Sequence, residues 1–137
     1  MMLQFAIVSQ SAAVDRFTNR LSLFNVIEAI QSPRYPVILT ECAVVIMLRR
    51  SDNEPNIFDS TITLNIAGNR IAQSTIRVNF ENRQYVRLIS NFQNLPILAP
   101  GELQFIITIP NAEPITTSIP IVQFPPPAAV PGVAVAG

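Results

Sequence analysis

From Thr61 to Ile66 every second residue is apolar: Ile62, Leu64 and Ile66 alternate with Thr61, Thr63 and Asn65. The return run repeats the pattern, with Ala72, Ser74, Ile76, Val78 and Phe80 set against Ile71, Gln73, Thr75, Arg77 and Asn79. A period of two puts alternate side chains on opposite faces of an extended chain, which a helix of period 3.6 cannot do. Ala67-Gly68-Asn69-Arg70 lies between the runs and supplies a turn, with Gly68 and Asn69 tolerant of positive φ. Strand, turn and strand are therefore specified locally.

Similar runs recur at about ten-residue spacing. Leu3, Phe5 and Ile7 share one face of a first strand, and Asp15–Arg20 is a polar turn. Leu21–Ile30 is apolar on both faces; helical spacing of Leu21, Phe24 and Glu28 competes, but β-branched content and the tight turn before it favour a strand. Two prolines make Gln31–Pro36 a breaker. In Val37–Arg49, Ile38, Thr40, Cys42, Val44, Ile46 and Leu48 line one face, and Leu39, Glu41, Ala43, Val45 and Met47 the other. Tyr85–Phe92 forms another strand, Ala99–Glu102 fits a type II turn, and Leu103, Phe105, Ile107 and Ile109 begin the next strand. In the last strand Pro120 implies an edge position. The fold class expected is all-β: an antiparallel β-sandwich of about eight strands, immunoglobulin-like or C2-like, over residues 1–124. Residues 125–137 form a Pro/Ala/Val-rich apolar tail.

A two-layer sandwich leaves one face of each sheet to water, yet Leu21–Ile30 and Val37–Arg49 are apolar on both faces. Something should cover the second face, either the chain's own tail and loops or another subunit. The residues expected at such an interface are Leu23, Val26, Val45 and Met47, together with Phe124, Val130, Val133 and Val135 of the tail.

Charge narrows the function. Only 13% of the 137 residues are charged, and nine arginines balance nine carboxylates. A zero balance argues against nucleic acid, which requires an excess of positive charge, and low repulsion favours association. Arg77, Arg83 and Arg87 could cluster, and are expected to pair with carboxylates rather than bind phosphate. Histidine is absent, so serine–histidine and cysteine–histidine nucleophile pairs and histidine metal sites are impossible. Cys42 reads as a small buried hydrophobe and Glu41 as a solvated or arginine-paired carboxylate. The polar loop Arg49–Asp59 matches no calcium-loop spacing and reads as a solvated turn. No apolar run is long enough to span a membrane, and the start of the chain lacks the positive region of a signal peptide.

The phrases VDRFTNRLSLFNVIEAI from Val14, VILTECAVVIMLRR from Val37 and NFQNLPILAPGELQFIITI from Asn91 resemble an uncharacterised family of small bacterial and phage β-sandwich domains. The resemblance covers residues 3–124. Its motifs are turn and core residues, so it implies a fold and transfers no functional residue. The expectation is a non-catalytic structural or assembly module without cofactor, a homo-oligomer or a component bound to a protein partner. Its expected place is the cytoplasm, or a phage or other assembly. The alternative is a small-ligand or carbohydrate-binding sandwich that uses its loops.

Overall fold

The computed structural model describes residues 1–124; the expected tail, with Val130, Val133 and Val135, lies outside them. The described residues contain nine strands and no helix: β1 Met2–Val14, β2 Leu21–Val26, β3 Ile30–Ser32, β4 Val37–Arg49, β5 Ile57–Ile66, β6 Asn69–Asn79, β7 Tyr85–Ile97, β8 Gly101–Thr108 and β9 Ile115–Gln123. They form two sheets, ordered β2-β1-β4-β7 and β3-β9-β8-β5-β6. One core lies between the sheets, with Val44, Ile46, Leu48 and Phe92 from the first meeting Ile62, Leu64, Phe105 and Ile107 from the second. The alternation along β5 and β6 holds: Ile62, Leu64 and Val78 are fully buried, and Thr63, Gln73 and Thr75 lie on the opposite face.

The ninth strand arises where the sequence promised one continuous run. β2 ends at Val26, and Asn25 takes a positive φ of 54°. The chain then crosses to the other sheet, where Ile30–Ser32 pairs in parallel with Ile121–Gln123. Pro120 precedes that pairing, so up to it β9 is paired with β8 on one side and has a free edge on the other, where a missing backbone donor is tolerated. Gly101 opens β8 at φ 151° and pairs with Ile121, rather than taking the φ of about +80° of a type II turn. The two-residue turn between β5 and β6 uses Ala67 at φ 51° and Gly68 at φ 79°, a residue earlier than the sequence placed it.

The core face of β4 changes along its length. Val37 and Leu39 pack against the core at one end, whereas Cys42, Val44, Ile46 and Leu48 do so at the other. The partner strand switches at the same level, from Leu88 and Phe92 to Leu95 and Ile97, with Asn94 at φ 54° between them. This paired reversal leaves the β4–β7 register unbroken and exchanges inside for outside on both strands at once. It turns Ile38, expected in the core, out to 64% exposure.

The outer face of the four-stranded sheet is covered by its own first hairpin. β1 follows β4 only as far as Ser9↔Ala43, then continues as partner of β2 alone. Asp15 Oδ1 closes the hairpin turn by accepting the N–H groups of Phe17 (2.8 Å) and Thr18 (2.9 Å). From that turn the Asn19 carbonyl and Oδ1 accept hydrogen bonds from Arg87 Nη2 and Nη1, at 3.2 and 3.4 Å. The tip thus reaches β7 across the outer face of β4. Ala12, Val14, Leu21 and Leu23 share the hairpin face that includes Val14, which borders one cleft with Met47 and Ile89. Ala43 and Val45 are consequently at 0% exposure.

Candidate functional site

Three of the proposed interface residues are placed differently from the rest. Val45 is enclosed by the chain itself, so it can touch no partner and is withdrawn as an interface residue. Leu23 and Met47 are half-buried, Leu23 on the covering face of the hairpin and Met47 beside it. Val26 is 50% exposed, and so is its neighbour Phe24 at 51%. Both lie on β2, an outer strand of its sheet. Phe124 is partly exposed beside β3, its N–H directed at the Ser32 carbonyl.

The free edge of β2 carries no charge and no proline in its sequence LSLFNV. Natural edge strands are guarded by such residues, by bulges or by cover, because unpaired N–H and C=O groups template another strand. Here only Asn25 acts as a guard: it disrupts the ladder near the end, and its Nδ2 donates to Gln10 Oε1 at 2.6 Å. Phe17, at the hairpin tip, is 92% exposed.

A second candidate lies at the other outer strand of this sheet. Val14 and Asn19 of the hairpin, Met47 of β4, and the stretches Asn79–Glu81 and Arg83–Arg87 with Ile89 line a cleft of about 540 Å³. Arg49 sits over the Tyr85 ring, 5.9 Å from its centroid. Arg50 stacks over Phe80 at 5.5 Å and donates from Nε to the Arg83 carbonyl at 2.9 Å. Of the three arginines expected to find carboxylates, Arg77 does, pairing with Asp59 at 3.2 Å in an exposed bridge.

The polar loop after β4 is organised by Glu54 rather than left open to solvent. Its Oε1 accepts from the Ser51 N–H and hydroxyl, each at 2.9 Å, and its Oε2 meets the Met1 ammonium. The Met1 ammonium and then the Ser51 N–H hold the Glu54 carboxyl down at about 2. Met1, Arg49, Arg50 and Asp52 line a smaller cleft of about 430 Å³ around it. Glu41 is exposed, and Cys42 is buried, its thiol pushed up to about 11 by desolvation.

A family profile matches residues 4–122. The chain belongs to DUF6941, a family of unknown function. The match bears out the resemblance to an uncharacterised domain family and spans nearly all the described residues. No curated protein and no solved structure matches the chain. In this DUF6941 chain the exposed β2 edge and the β7 cleft share one element, the folded-over hairpin. Neither the guanidinium arrangement at β7 nor the exposure of Phe24 is legible from sequence spacing. The signal that could have pointed to β2 is its lack of any charge, proline or glycine in a strand that follows a polar turn.

Proposed function

We propose that this chain is a non-catalytic assembly module that self-associates through β2. The observation that supports the reading most directly is the free β2 edge, where Phe24 and Val26 stand half exposed without a charged residue in the strand. Two copies can pair this strand antiparallel about a twofold axis, because the same donors and acceptors then face each other. A chain of zero net charge opposes this association weakly. We read the frame as an elaboration of an immunoglobulin-like or C2-like sandwich, placed in the cytoplasm or in a bacterial or phage particle.

Native mass spectrometry and light scattering test the reading. At micromolar concentration the wild-type chain should exceed its monomer mass, and Phe24→Lys with Val26→Lys should return it to monomer with an unchanged circular dichroism spectrum. A monomeric wild type would refute self-association. Deletion of Pro125–Gly137 tests the further expectation of a docking tail, since an unchanged oligomer mass would remove the tail from the assembly.

A further inference from the structure

We infer that the cleft at the outer edge of β7 binds a carboxylate, presented by an acidic side chain on an extended protein segment, and that Arg87 receives it. The inference uses a different surface from β2 and stands without the assembly reading. A guanidinium has five N–H donors. Arg87 directs two of its nitrogens at Asn19, and its Nε is buried with no hydrogen-bond partner. Among the described residues the ion pairs are Met1–Glu54 and Arg77–Asp59, so Arg87 has no counter-charge. A partly buried cation with an orphaned donor is costly, and such groups are rarely found without a paired anion.

The surroundings favour an anion from outside. Arg83 and Arg87 line the cleft, with Arg49 against Tyr85, whereas Glu81 is the carboxylate among the lining residues; Asp52 lies with Arg49 and Arg50 at the neighbouring cleft. In a chain of zero net charge this is a local positive excess. A carboxylate approaching side-on matches the planar fork of Nε and Nη2 and displaces the Asn19 carbonyl. The exposed hairpin turn can yield for that exchange, since residues 13–20 are all exposed. An extended segment is favoured over a small acid because β7 is an outer strand, and its unpaired edge offers backbone donors and acceptors beside the fork.

The probe is a blocked five-residue peptide with glutamates at positions two and four, compared with its glutamine counterpart, glutarate and inorganic phosphate. The readout is the side-chain Nε–H resonance of Arg87 and the backbone amide of Asn19 in the full chain. Both should shift saturably with the acidic peptide, with binding at about 1 mM or tighter. The glutamine peptide should bind at least about tenfold more weakly, as loss of a charge-assisted hydrogen bond requires. Arg87→Gln should abolish the Asn19 shift. Should that variant fail to fold, Asn19→Gly keeps the positive φ and removes the competing Oδ1, and should bind the acidic peptide at least as tightly as wild type. Equal binding of the two peptides, or no saturable shift, would overturn the site. Phosphate binding as tight as the peptide would overturn the carboxylate assignment, and equally tight glutarate would overturn the extended segment.

Discussion

Val45→Ala separates a covered face from an interface. The side chain is at 0% exposure, with Ile7 and Ile89 opposite it on the two neighbouring strands and the hairpin above. Removing two methyl-sized groups at about 0.8 kcal/mol each loses about 1.6 kcal/mol of transfer free energy. A residual cavity of about 25–50 Å³ at about 24 cal/mol per Å³ adds about 0.6–1.2 kcal/mol. The expected destabilisation is therefore about 2–3 kcal/mol. In urea, where a domain of this size has a slope of about 1–3 kcal/mol per M, the midpoint should fall by about 0.7–3 M with the slope unchanged. Val26→Ala, at a half-exposed edge position, should cost less than about 1 kcal/mol. Midpoints measured at protein concentrations well below the dissociation constant of the assembly isolate this comparison from subunit contacts. If Val45→Ala cost no more than Val26→Ala, and instead lowered the native mass, the hairpin would not be the cover and the reasoning would fail.

Three further outcomes are expected. Ala67 occupies a positive φ in a tight turn that favours Asn-Gly, so Ala67→Asn should stabilise by about 0.5–1 kcal/mol and raise Tm by about 2–4 °C in calorimetry. An unchanged Tm would mean that the turn carries no strain. Glu54 titrates lower in the folded chain than its ordinary 4.5, so its contribution is complete above about pH 4.5 and is lost as the pH falls towards about 2. The difference in Tm between wild type and Glu54→Gln should shrink across that window, and a constant difference would contradict the linkage. Cys42, buried and with its thiol at about 11, should react with a disulfide reagent at pH 8 at least about a hundredfold more slowly in the native chain than in denaturant. Comparable rates would place the thiol at the surface.

Much of the strand pattern was legible because alternation is local. Ile62, Leu64, Leu103, Phe105 and Ile107 are core residues for the same reason that they alternate. Other features depend on pairings that a single run cannot report. Ile38 reads as core until Asn94, far along the chain, sets the irregularity that turns it outward. The crossing after Val26 was hidden because apolar residues continue on both sides of it, so no change of period marks the boundary. The need for a second cover was visible in the sequence, but its source was not, because it depends on how sharply β1 bends. The orphaned Nε of Arg87 belongs to the same class: spacing brought three arginines together on paper, Arg77 found Asp59, and the hairpin turn took up Arg87 through Asn19.

The short parallel pairing of β3 also orders events in time. Ile30–Ser32 has no strand partner until Ile121–Gln123 exist, and Gln123 Nε2 ties back to the Pro33 carbonyl, 90 residues earlier. At a synthesis rate of about 5–20 residues per second, the stretch waits about 5–20 s on the ribosome before its sheet can close. The hairpin, built from β1 and β2, is complete long before then. Closure of the five-stranded sheet is therefore the step at which a newborn chain is most open to capture by a neighbour. Contacts of such long sequence separation form slowly once the chain is released. A chain arrested before Ile121 should expose Ile30 and bind a chaperone, whereas one released after Gln123 should not.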